Sequence, residues 1–379
     1  MILLSLIACR APAVVGVGSP SSPVDHPGVL FQGGPGFLGT DVRYGAVGPS
    51  GEPVFTALSR GESDTSVWTV GAEAEEWVSG LGFVEALQVV TVEGQALALA
   101  LGDDAIRLDP GQHTPTWRVP RAGGRAVLEP WSDQEALRFI PWATDPTPPG
   151  LRQIDTTTGA ALAALPWSEE GARWLGVVPL RRATPGAVVR FARATDGERT
   201  LAWMEVPQSD LAGVTTHVLP YQPVLGADLD GDGWDDLVSR ESTPEGSLPV
   251  VVSFTPDGPD GPLADVRIES SAQVFATSLA VGDLDGDGAA DLVVSTGPMA
   301  EPGRVSIFRG PLEPGTYAES DADLVFTMVG MNGFGTSVAA GDLNGDGVDE
   351  LAVGSPGLRG GLIGYEDVLA PWREANGLD

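Results

Sequence analysis

The chain has 379 residues, room for two ordinary domains or one large repeat architecture. Its 52 acidic residues face only 21 basic ones, all arginine, and the net charge of −31 sets it against nucleic acid and anionic lipid surfaces as partners. One cysteine excludes a disulfide framework and a cysteine zinc site, while 42 % hydrophobic content with 51 Gly and 32 Pro excludes a disordered chain and suits short strands joined by turns.

In chain order, the first feature is the apolar run MILLSLIA over residues 1–8, far too short to cross a bilayer as a helix. With Cys9 it gives "LIAC", which resembles the lipobox of bacterial lipoproteins. That resemblance implies a signal segment over 1–8, lipidation of Cys9, and a location at the outer membrane or cell surface, otherwise periplasmic or secreted. Residues 10–27, rich in Pro, Ser and Gly, then read as a flexible tether, so that the membrane is touched only through lipid. The alternative is a buried first strand with an incidental cysteine.

From residue 28 onward the pattern is short apolar runs in groups of four. DVRYGAV, PVFTALS, SVWTVG and EEWVSG form the first group, and LQVVTV, ALALALG, AIRLD and PTWRVP the second. RAVLEPW, ALRFIPWA, LRQIDT and AALAALPW follow, then WLGVVPL, AVVRFARA, TLAWMEV and THVLPY. The fifth group is PVLGAD, DLVSR, LPVVVSF and ADVRIE, and the sixth TSLAVGD, DLVVST, GRVSIFRG and DLVFTMVG. The seventh has SVAAGD, ELAVGS and GLIGYED but lacks a fourth run, which GVLFQG (28–33) is expected to supply, with DVLAPW as the rival. Four-stranded units repeated at this spacing predict an all-β, seven-bladed β-propeller with antiparallel blades over 28–379. Eight of the ten Trp fall between residues 68 and 203, as fillers between blades or as an aromatic platform for sugar.

Three acidic loops punctuate the last three groups. Each carries oxygen side chains at loop positions 1, 3, 5 and 9 and Gly at 4 and 6. The first uses Asp228, Asp230, Asp232 and Asp236, the second Asp283, Asp285, Asp287 and Asp291, and the third Asp342, Asn344, Asp346 and Glu350. Alternate residues converge on one point only if the chain wraps tightly, which glycine permits. Hard oxygen donors without His or Cys select calcium, up to three ions here, with position-7 carbonyls from Trp234, Ala289 and Val348 as further ligands. Position 12 is Ser239, Val294 and Val353 instead of the glutamate an EF-hand needs, and strand-like runs follow, so the loops join strand to strand.

The stretch GFGTSVAAGDLNGDGVDELAVGSP (333–356) resembles an FG-GAP repeat of the integrin α-chain propeller family, with Phe334-Gly335, the acidic loop, and Gly354-Ser355-Pro356 in place of Gly-Ala-Pro. The second unit has Phe275-Ala276 at the first motif and the first unit lacks it, so the resemblance covers about residues 221–367. It implies cation loops at the rim away from the partner-binding face, hence structural calcium and a monomeric surface module that binds protein or polysaccharide. No nucleophile elbow, phosphate loop or Ser/His/Asp arrangement supports catalysis, although acids such as Glu129, Glu135 or Glu205 would pair across a propeller channel in a glycosidase. A structural role inside a larger envelope complex is the third possibility.

Overall fold

A computed structural model describes the backbone of residues 13–17, 29–33 and most of 38–370 with Arg373, and side chains chiefly over 38–120 and 221–370. The fold is all-β: apart from one short 3-10 turn at Glu319–Asp321, every described element is a strand. The second strands of several groups, such as Asp291–Thr296 and Glu350–Ser355, are buried at every position. A strand covered on both faces has no reason to alternate, which is why these segments read as unbroken runs of small and β-branched residues.

Among the described residues the strands form seven sheets, taken up in chain order. Leu38–Gly45 begins the first sheet, Val84–Val92 the second, Ala126–Leu128 the third and Ala172–Leu180 the fourth. Tyr221–Ala227, Leu279–Gly282 and Ser337–Gly341 begin the fifth, sixth and seventh. In each sheet four strands, counted outward from the initial one, pair antiparallel in succession. From the third sheet to the seventh, each initial strand lies beside the next sheet's initial strand, and that of the seventh lies beside that of the first.

The apolar cores sit between sheets. One joins Val293, Val305 and Ile307 of the sixth sheet to Val338, Leu351 and Ile363 of the seventh, with Phe334 at its centre. Another joins Val42, Phe55 and Ala57 of the first sheet to Ala339, Ala352 and Leu362 of the seventh. Equivalent layers join the first to the second and the fifth to the sixth. Trp77 is buried in the layer between the first and second sheets and Trp117 packs on Leu97, Leu99 and Ala105 of its own sheet, whereas the tryptophans from Trp131 to Trp203 lie outside the described side chains.

Close packing at the ends of the initial strands explains three glycines. A Cβ on Gly341 would lie 2.0 Å from Cγ of Tyr44 in the first sheet, and one on Gly45 would lie 2.1 Å from Val89 in the second. One on Gly282 would meet Ala340 at 2.8 Å. Gly341→Ala is therefore expected to push the Tyr44 ring outward and cost about 1–3 kcal/mol, the range for overpacking. Chemical denaturation of the variant checks it.

Two findings differ from the expected organisation. Residues 10–27, expected as a tether, contain the strand Ala13–Val17, which runs parallel to Leu324–Met328 at the outer edge of the sixth sheet. AVVGV is rich in β-branched valine and meets an unpaired edge, the condition under which an extended segment adds to a sheet. In addition, Gly315–Ala318, inside the connection to the last strand of the sixth sheet, runs parallel to Val266–Glu269 of the fifth. The seventh sheet takes its fourth strand from Val29–Gly33, the segment expected to supply it, paired antiparallel with Gly361–Tyr365. The rival segment instead turns at Asp367 and buries Val368 and Leu369 between the sixth and seventh sheets. Cys9 and residues 1–8 lie outside the described residues.

Candidate metal centres

Each acidic loop joins the first strand of its sheet to the second, and the same local physics shapes all three. The glycines at positions 4 and 6 have positive φ, from +75° to +92°. That turns successive N–H groups inward, and the position-1 carboxylate collects them. Asp228 accepts from Gly231 and Gly233 at 2.9 Å each, Asp283 from Gly286 at 2.8 Å and Gly288 at 2.9 Å, and Asp342 from Gly345 at 2.6 Å and Gly347 at 3.0 Å. Position-3 oxygens accept the N–H of position 5, and position-5 carboxylates accept the N–H of Trp234, Ala289 and Val348 at position 7.

The position-9 acid reaches back under the loop from the start of the second strand. Asp236 accepts from Leu229 at 2.7 Å, Asp291 from Leu284 at 2.9 Å and Glu350 from Leu343 at 2.6 Å. Those leucines, at position 2, escaped the sequence reading. Leu229 and Leu284 are fully buried in the inter-sheet cores and Leu343 packs against the core between the seventh and first sheets, so each loop is pinned from below. The signal was present: all three loops carry Leu at that position.

The loops also hold the sheets to one another. Asp349, at position 8 of the third loop, accepts the N–H of Asp283 at 2.9 Å and donates its own N–H to the Asp283 carbonyl at 2.7 Å. The Tyr44 hydroxyl donates to the Asp342 carbonyl, which ties the third loop to the first sheet. Arg373 donates to the Asp285 carbonyl at 3.4 Å.

The loops differ in how completely their acids are satisfied. In the first, Asp228, Asp230 and Asp236 bring oxygens within 4.8 Å of one another. Asp236 is 1 % exposed, and its Oδ1 has no hydrogen-bond partner. A buried carboxylate oxygen without a donor is costly, and a bound cation satisfies it, so the donor set fits a hard divalent ion. In the second, Asp283, Asp285 and Asp287 converge, while both oxygens of Asp291 are taken by the N–H groups of Leu284 and Gly310. Arg309 forms ion pairs with Asp285 and Asp287. In the third, the Asn344 carboxamide donates to Asp346 and Glu350 at 3.0 Å each.

Burial dominates the electrostatics. It pushes Asp236 up to about 7, against the N–H of Leu229 and with help from the charge of Asp230. It pushes Asp291 up to about 7 as well, opposed by the N–H groups of Gly310 and Leu284. Glu350 and Asp349 are raised by the same cause. Burial holds these acids above their ordinary range, and a cation bound beside them would favour their ionised form. Of the acids that would serve a glycosidase, Glu129 and Glu135 lie outside the described residues and Glu205 is described only in its backbone.

A family model described as FG-GAP repeat matches residues 334–363, and one described as FG-GAP-like repeat matches 228–294. The chain is 37 % identical over 128 residues to integrin alpha-IIb of Mus musculus and 36 % identical over 124 residues to integrin alpha-IIb of Homo sapiens. These alignments cover 31 % and 30 % of this chain, and only 12 % of the length of each relative. The chain thus carries FG-GAP repeats in the part that holds the acidic loops. Among the described residues no helix is long and apolar enough to cross a membrane.

Proposed function

We propose that the chain is an exported, calcium-stabilised, seven-bladed propeller that acts as a binding module for extracellular protein or polysaccharide. The observation that carries the reading is the FG-GAP repeat over residues 228–294 and 334–363, supported by the similarity to integrin alpha-IIb over about a third of the chain and by the recurrence of four-stranded sheets. The seven sheets are its blades, and the contact between the seventh and first closes the ring. Up to three calcium ions sit in the loops, held by the acids at positions 1, 3, 5 and 9, by Asn344, and by the carbonyls of Trp234, Ala289 and Val348. Their role is structural: they neutralise buried acids and fix the connections that brace neighbouring blades. The apolar run over 1–8 and Cys9 support export and a lipid anchor at the cell surface.

A module of this kind recognises its ligand by shape and polar contact. Among the described residues the large hydrophobics left exposed are Phe83 and Trp234, and Phe83 is already faced by Arg60. The test is capture by the immobilised chain from extracellular-protein and polysaccharide fractions, in about 1 mM calcium and again in chelator. A ligand retained only with calcium supports the reading. Shortened polysaccharide with nothing retained would replace it with a carbohydrate-active enzyme.

A further inference from the structure

The three loops have nearly the same sequence, yet among the described residues the acids of the second are paired with an arginine, Arg309. Register shows why. The residue that comes to lie opposite each position-9 acid is fixed by hairpin pairing, because the position-10 residues pair as Leu237 with Ser253, Leu292 with Phe308 and Leu351 with Tyr365. The next residue on the third strand is therefore Phe254 in the fifth sheet, Arg309 in the sixth and Glu366 in the seventh. The equivalence extends to the backbone, because Phe254 donates its N–H to Asp265 at 2.8 Å and Arg309 donates its N–H to Asp323 at 3.0 Å. One position thus carries an aromatic, a cation and an anion beneath three otherwise similar loops.

Arg309 is built in. Its backbone is held by Asp323, and the following N–H, that of Gly310, is held by Asp291 at 2.9 Å. Its guanidinium reaches two loop acids at once, donating Nε to Asp285 and Nη2 to Asp287, the latter at 2.8 Å. The Asp285 side chain is only 2 % exposed, so this pair is largely shielded from water. A charge-assisted fork of this kind is among the stronger polar contacts a protein makes. In the first loop, by contrast, Asp236 Oδ1 is left buried without a donor.

We infer that Arg309 is a resident counter-cation that occupies the second loop in place of calcium, so that this loop fills last and only when the guanidinium swings away from Asp285 and Asp287. The inference rests on the calcium reading above and deepens it: near-identical loops become sites of different affinity. A loop that fills at low calcium is then distinct from one that responds to higher calcium.

The test is a calorimetric calcium titration of the chelator-stripped full chain, its Arg309→Gln variant and its Asp287→Asn variant. Terbium luminescence sensitised by Trp234, exposed at position 7 of the first loop, reports that loop separately, and Trp234→Phe removes the signal. The wild type is expected to bind calcium in the second loop at least about tenfold more weakly than in the first, and Arg309→Gln to tighten it by about tenfold or more. Asp287→Asn, a change on an exposed side chain, is expected to leave the tight class intact. Loss of one tight equivalent in Asp287→Asn, or an unchanged titration in Arg309→Gln while the Trp234 signal persists, would overturn the inference and leave the calcium reading standing. Failure of all three proteins to bind either calcium or terbium would overturn both.

Discussion

Stripping calcium at pH 7.5 is expected to lower the unfolding midpoint by about 3–5 °C. At calcium near ten times the dissociation constant of the first and third loops each of these adds about 1.4 kcal/mol by mass action, and the weaker second loop brings the total to about 3 kcal/mol. For a domain of this size each kcal/mol moves the midpoint by little more than about 1 °C. The effect also has a pH signature. Asp236 and Asp291 are raised to about 7 in the folded chain from 3.8, so the metal-free fold binds their protons more tightly than the unfolded chain does. Their stabilising protonation is complete below about pH 4 and is lost as pH rises to about 7. A shift of this size corresponds to about 4 kcal/mol per group. In chelator the midpoint should therefore be higher at pH 5 than at pH 7.5. Calcium pairs with the ionised acids, so its increment should grow over the same window. Scanning calorimetry at both pH values, with and without calcium, reads both effects. An equal midpoint in all four conditions would contradict them.

Phe334→Ala is expected to cost about 3–5 kcal/mol, the range for truncating a fully buried aromatic. Phe334 is 0 % exposed and lies among the side chains that join the sixth sheet to the seventh. Its carbonyl lies so close to Gly303 that a Cβ there would meet it at 2.2 Å. The ring therefore stands where two sheets meet, and neither sheet can close over the space it leaves without moving away from the other. The following residue explains the second half of the motif. Gly335 has φ +80°, and in the sixth unit Ala276 holds the same region at φ 56° while Phe275 is buried like Phe334. A chain turn at positive φ directs the aromatic inward in both units, with glycine the less strained occupant. Denaturant unfolding of Phe334→Ala and of an exposed control such as Phe83→Ala measures the difference. A cost under about 1 kcal/mol at Phe334 would show that the sheets repack independently.

Much of this fold is legible in the sequence, because most strands are short β-branched or apolar runs set off by turns. The loops are legible for a different reason: oxygen donors at odd positions with glycine between them leave few other uses for the segment. What escaped reading depends on partners distant in sequence. Arg309 lies well beyond the second loop, and only the hairpin register of Asp291–Thr296 against Gly303–Phe308 brings it under Asp285. Asp349 reads as one more loop acid until the sixth and seventh sheets come together and it meets the Asp283 backbone. Gly315–Ala318 has an exposed pattern with no apolar alternation, so nothing local marks it as a strand. Ala13–Val17 is β-branched, but its proline- and glycine-rich surroundings outweigh that signal until an open sheet edge receives it.

The most direct test of calcium-clipped loops is anomalous diffraction from crystals of the full chain grown in about 5 mM calcium, well above the affinity of extracellular modules. The expected result is an anomalous peak in the first loop, about 2.3–2.6 Å from oxygens of Asp228, Asp230 and Asp236. The Asp236 Oδ1 that lacks a donor should be among its ligands. No peak in that loop at saturating calcium, with Asp236 satisfied by water or protein instead, would contradict the account.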